Sequence, residues 1–102
     1  MLNQIAIEGY VKGDPIIRKT QAGVLMALFQ IEQQQDGTNK METFQCVAYD
    51  KAAENLHNVC EGNAVSVAGR LREGYWTDDD GNTHRQTQIR AARVYMIGGP
   101  LE

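Results

Sequence analysis

Aromatic and cationic side chains at close spacing are the chemistry this sequence offers, and they concentrate in Ala64 to Gly81, AVSVAGRLREGYWTDDDG. Arg70 and Arg72 stand two residues apart, so on an extended strand they share a face. Tyr75 and the single tryptophan, Trp76, follow them. Arginine neutralises phosphate, and a flat ring gives a nucleobase a surface to stack on. An ordinary hairpin with a solvated, charged end carries the same pattern. Outside this stretch the candidate rings are Tyr49, Tyr10 and Phe44, and the candidate cations are Lys12, Arg18, Lys40 and Arg85.

Catalysis is poorly served. His57 and His84 have no acid or nucleophile at a spacing that makes a triad or a metal set, and both read as ordinary surface histidines. Asp78, Asp80 and Asn82 imitate the start of a calcium loop. The sixth position is Thr83 instead of glycine and the twelfth is Ile89 instead of glutamate, so an acidic hairpin turn is the better reading. No metal or cofactor is implied, and the chain is expected not to be an enzyme.

The elements that must hold these residues follow from two-residue periodicity. Leu2 to Lys12 puts Ile5, Ile7, Gly9 and Val11 on one face of a first strand, which Gly13-Asp14-Pro15 breaks. Ile16 to Lys19 is a short extended piece. Val24 to Gln33 is the second long strand, with Leu25, Ala27, Phe29 and Ile31 in phase, and the polar run to Lys40 is a loop. Glu42 to Tyr49 is the third, with Phe44, Cys46 and Ala48 inward and Tyr49 outward. Asp50 is expected to cap a helix over Lys51 to Cys60 that buries Ala52, Leu56, Val59 and Cys60, and Gly62 ends it. The opening stretch is the fourth strand, turning at Asp80-Gly81, and His84 to Ile97 is the fifth.

Five strands with one helix between the third and fourth predict a mainly all-β chain, a five-stranded OB-fold Greek-key barrel. With 102 residues there is one domain, taken as residues 1–100. Leu101-Glu102, after Gly98-Gly99-Pro100, is consistent with a cloning scar. Cys46 and Cys60 lack metal-like spacing and read as small core residues in a reduced, cytoplasmic setting. Ten Lys and Arg against thirteen Asp and Glu give a net charge of −3, which argues against a polyanion partner unless the cations share one groove.

Three segments resemble one family. NQIAIEGYVKGDPIIRKTQAG, CVAYDKAAENL and GNAVSVAGRLREGYWTDDDGN are similar, in order and spacing, to the bacterial and phage single-stranded DNA-binding proteins, across residues 3–99. The resemblance implies an OB-fold, a homotetramer (with a dimer as the alternative), and sequence-tolerant binding of single-stranded DNA in replication, recombination and repair at the nucleoid. By position it makes Trp76 and Tyr49 stacking residues and puts Arg70 and Arg72 on the polar positions of the fourth strand, where basic residues often occur. Arg18, Lys12 and Lys40 are expected as further phosphate contacts, and Tyr75 and Arg85 as further DNA-binding candidates.

There are departures. The family's stacking position on the third strand falls on Thr43, with Phe44 one residue out of phase unless a bulge shifts it. The loop after the second strand offers Gln33 to Gln35 where many relatives carry a tryptophan. Fewer rings predict weaker or more salt-sensitive binding. The family's acidic tail, which recruits replication and repair proteins, has no counterpart before Glu102. The rival readings are a primosomal accessory OB protein and an OB module that binds protein; an OB-type nuclease is more distant.

Overall fold

Alternation in the sequence becomes alternation in burial along β1 (Ile5–Val11), where Ile5, Ile7, Gly9 and Val11 turn inward and Ala6, Glu8 and Tyr10 outward. The computed structural model describes residues 1–97. The domain end at Pro100 and the Leu101-Glu102 pair lie outside the described residues. After β1 come β2 (Ile16–Lys19), β3 (Leu25–Gln34) and β4 (Met41–Tyr49). A helical turn α1 (Asp50–Glu54) follows, then a 3-10 turn over Asn55–Asn58, then β5 (Ala64–Thr77) and β6 (Thr83–Met96).

Five of these strands form a ring. β1 pairs with β5 and β3, β5 with β6, and β3 with β4, all antiparallel; the parallel pair β4–β6 closes the barrel. The ring order β1-β3-β4-β6-β5, with the helical segment between β4 and β5, is the expected OB arrangement. The short extended piece is a true strand, β2, which adds to the outer edge of β3. Ala27, Phe29, Ile31, Cys46, Ala48, Val65, Val67 and Ile89 fill the barrel, and Leu56 and Val59 plug it from the helical segment. Burial pushes the Cys46 thiol up to about 12, which leaves it an inert core residue.

Three expectations about the helical segment need correction. It is not one helix to Cys60, because α1 ends at Glu54 and Val59 is already extended. Asn55, His57 and Asn58 are weak helix formers, so nothing local sustains a longer helix. Asp50 gives no side-chain cap; its backbone sits at φ 53°, a conformation aspartate tolerates better than most residues. The buried set is Ala53, Leu56 and Val59, whereas Cys60 is exposed beside the turn that Asn63 ties together. Cys60 is therefore no core residue.

The long strands carry one irregularity that matters for the site. Ala68 pairs with Arg93 and Gly69 with Ala91, so Ala92 is an extra residue bulged out of β6. The bulge resets the phase of β6: Ile89 and Ala91 point inward before it and Val94 after it, which leaves both Arg90 and Arg93 outside the core. At the N-terminal edge, the Asn3 side chain donates to Leu71 O and accepts from Leu71 N–H, at 2.8 and 2.9 Å. This clamp extends the β1–β5 contact by two residues beyond the ladder.

Candidate nucleic-acid interface

Cross-strand register assembles the outer face of β2, β3, β4, β6 and β5. Arg70 stands opposite Arg90, Arg90 beside Val47, Val47 opposite Leu28, and Leu28 opposite Ile16. One step along β4, Tyr49 stands opposite Met26, and Met26 opposite Arg18. One step the other way, Arg72 pairs with Gln88 on one side of the barrel and Gln45 with Gln30 on the other. These three rows contain no acidic side chain; Glu32, opposite Thr43, borders them. Lys12, Asp14 and Ile16 line a shallow groove with Leu28, Gln30 and Gln45, which puts Lys12 at the edge of the same face beside the Asp14 carboxylate, whose Oδ1 accepts from Glu61 N–H at 2.9 Å.

Within this face Arg90 lies over the Tyr49 ring, its guanidinium carbon 5.1 Å from the centroid. That cation–π contact holds the ring half-buried and leaves the charge at the surface. Like charges directly opposite on neighbouring strands repel, so the Arg70–Arg90 pair with Arg72 alongside stores unfavourable field. Among the described residues the ion pairs are His84–Asp78 and Arg85–Glu73, so no carboxylate pairs with Arg18, Arg70, Arg72 or Arg90. An anion from outside the chain would relieve that field.

The β5–β6 hairpin extends the face and sorts its residues. Pairing is regular from Gly69 to Thr77, so Trp76 shares the side of Arg70 and Arg72, and Tyr75 takes the other. The Tyr75 hydroxyl donates to Glu73 at 2.8 Å, which raises the phenol above its ordinary value, and Arg85 lies 3.8 Å from the same carboxylate. Tyr75 and Arg85 thus sit together on the opposite side from Trp76. Lys40 is exposed in the β3–β4 loop, where its backbone accepts from Gln35 N–H, apart from the three rows. The β3–β4 register has no bulge, so Phe44 packs toward the core opposite Ile31 and the outward place is held by Thr43.

At the hairpin tip, Trp76 stacks on His84 with ring centroids 4.3 Å apart and planes at 19°. His84 Nε2 lies 2.6 Å from Asp78 Oδ2, and Asp78 Oδ1 accepts the backbone N–H groups of Asp80 and Asn82 at 3.0 and 2.9 Å. His84 is at the surface, as expected from sequence, and engaged there by Trp76 and Asp78. The Asp78 carboxylate is spent within the turn, and the described residues hold no cluster of three or more metal-ligating side chains.

The His84 hydrogen bond, with those backbone donors, holds the Asp78 carboxyl below the ordinary aspartate value. A depressed carboxyl stabilises the turn above the ordinary range, and the gain is lost as pH falls through the lowered value. A carboxyl-carbon NMR titration should give Asp78 a midpoint below 3.8, the value of a free aspartate. A midpoint at or above that would contradict the hydrogen-bonded turn.

Sequence reasoning missed Arg90, Met26, Leu28, Val47 and the Gln30–Gln45 pair. Alternation marks Arg90 as outward but says nothing of its neighbour. Its place beside Val47 and Tyr49 depends on the parallel closure of β4 on β6, a pairing between distant segments.

The model of the single-strand binding protein family matches residues 2–97. The chain belongs to the single-strand binding protein family. Its relatives within that family include the single-stranded DNA-binding protein of Deinococcus radiodurans, 31% identical over 94% of this chain and 34% of that protein. That of Oceanobacillus iheyensis is 32% identical over 95% of this chain and 64% of the relative. Single-stranded DNA-binding protein 2 of Listeria monocytogenes is 30% identical with the same coverage, 95% and 64%. The chain thus spans between about a third and two thirds of the length of these curated relatives. The fold is similar to that of a Plasmodium falciparum SSB in complex with ssDNA, at a TM-score of 0.78 and 22% identity, over 96% of this chain and 97% of that one.

Proposed function

We propose that this chain binds single-stranded DNA with little sequence preference, without an enzymatic activity of its own, on exposed strands in replication, recombination and repair. The observation that carries the reading is the face whose three rows hold no carboxylate: Arg90 lies over Tyr49, Arg18, Arg70 and Arg72 stand in the same rows, and the hairpin continues to Trp76. Phosphates neutralise the opposed arginines, and bases stack on the rings. Tyr49 and Trp76 are the stacking residues; Arg70, Arg72, Arg18, Arg90 and Lys12 are the phosphate contacts. Lys40, Tyr75 and Arg85 take an outer strand path only. The net charge of −3 does not oppose this, because Asp78 is held by His84 and the turn's backbone N–H groups, Glu73 lies on the other side with Tyr75 and Arg85, and exposed charges beyond about 8–10 Å are screened.

Trp76 is the only tryptophan, so titration with oligo-dT should quench its emission strongly. Unchanged emission at low salt, together with no gel shift, would overturn the reading. Arg72→Ala should flatten the salt dependence by about one phosphate contact, a change of roughly 0.7 in the log–log slope on a single strand. An unaltered slope would take Arg72 out of the site.

A second copy of the chain completes the reading. The outward side of β1 with the adjoining parts of β5 and β6 presents Ala6, Ala68, Tyr10, Tyr95 and Ile97 together with Glu8, Ser66 and Arg93, with Tyr10, Tyr95 and Ile97 exposed at 54, 60 and 42%. A face with three exposed large apolar side chains among a few polar ones suits burial against further copies, and a homotetramer is favoured over a dimer. Light scattering on the purified protein gives the count. No helix of the described residues is long and apolar enough to cross a membrane, and the proposed place of action is the cytoplasmic nucleoid. Replication and repair proteins are partners only of a natural chain that carries a tail beyond Pro100.

A further inference from the structure

At the tip of the hairpin, a histidine is laid flat against the ring proposed to receive a base. A tryptophan on a two-stranded ribbon has few neighbours to fix its rotamer, and Trp76 is 51% exposed. The stack on His84 at 4.3 Å and 19° covers one face of the indole. His84 is in turn fixed by Asp78 at 2.6 Å. An ionised carboxylate only accepts, so Nε2 carries the hydrogen and donates it. Asp78 cannot swing away, because its other oxygen holds two backbone N–H groups of the turn.

We propose that His84, clamped by Asp78, is a positioning residue for Trp76: it occupies one face of the indole and presents the other to a single base. The inference rests on the reading of Trp76 as a stacking residue and adds to it a rigid support built from the hairpin's own turn. A ring held in place before the strand arrives loses less freedom on binding, so the support appears as affinity without any contact to DNA. His84 is then one member of a three-layer stack of histidine, tryptophan and base.

The test compares oligo-dT affinity and its salt dependence, by anisotropy of a labelled strand, for the full chain and its W76A, H84A, H84F, D78N and W76A/H84A variants. H84A should weaken binding by about 3–10-fold, the range of an aromatic pair contact, with an unchanged salt slope. D78N should show a smaller loss in the same direction, and H84F should restore most of the affinity because a phenyl ring still stacks. On the W76A background, H84A should add nothing.

Three binding results overturn the proposal alone: H84A binding as tightly as the parent while W76A does not, a loss at His84 that adds to that of W76A, or a loss that reduces the salt slope. The last would make His84 a direct DNA contact. Full binding by W76A would overturn the stacking role of Trp76 and the proposal with it. Relaxation of the indole Nε1–H in the free protein is the independent readout: Trp76 should become more mobile in H84A and not in H84F. Unchanged mobility in H84A would overturn the positioning role whatever the DNA result.

Discussion

Trp76→Ala is expected to weaken single-stranded DNA binding by roughly 1–3 kcal/mol, about 5- to 150-fold, the value of one well-stacked base. Fold stability should hardly change, because Trp76 projects from the hairpin and touches none of the barrel's buried cluster. The salt slope should also stay the same, since the indole carries no charge. This separates Trp76 from the arginines, whose removal lowers the slope. The effect is large because few rings are available: Thr43 stands at the outward place on β4, and the β3–β4 loop carries no aromatic residue between Gln33 and Lys40. Equal affinity of parent and variant at low salt, measured by equilibrium anisotropy, would remove Trp76 from the site.

Gly69→Ala should destabilise the domain by about 1–3 kcal/mol, the cost of overfilling a packed site. A Cβ at Gly69 would run into Arg90 O and stand 2.9 Å from Arg90 C. Both are backbone atoms of the paired strand, and they cannot turn aside as a side chain would. Relief requires β6 to move away at the bulge where Ala92 is unpaired, and that movement displaces Arg90 from Tyr49 and Arg70. Binding should therefore fall along with stability.

Gly74→Ala is the control. The nearest atoms its Cβ would meet are the end of the Gln88 side chain, at 2.6 Å from Cδ, and that amide can rotate away. Its cost should stay within about 0.5 kcal/mol. Urea unfolding of the two variants gives the comparison, and equal midpoints would show that the bulge is not under steric control.

Strand phase was legible from residue order because inward and outward positions repeat every two residues within one segment. Ile5, Ile7 and Val11, Ala27, Phe29 and Ile31, and Val65 and Val67 all face the core as alternation predicts. The barrel's strand order was legible too, from the single helical segment between the third and fourth long strands. The helix length was not: Asp50 and the Leu56–Val59 spacing promise a longer helix than Asn55, His57 and Asn58 sustain.

The site divides in the same way. Arg70, Arg72, Trp76 and Tyr49 stand out by residue type and by phase, and the structure places all four outward, with Trp76 on the side of the arginines. Tyr75 and Arg85 carry equally suitable chemistry, yet alternation past Gly69 sets them beside Glu73 on the other side. Only the tertiary structure decided which distant groups become neighbours. The parallel closure of β4 on β6 brought Arg90 over Tyr49, and the hairpin register laid His84 against Trp76. Alternation is a property of one strand, whereas register belongs to a pair, and a slip of a single residue would have sent each of these side chains to the opposite face.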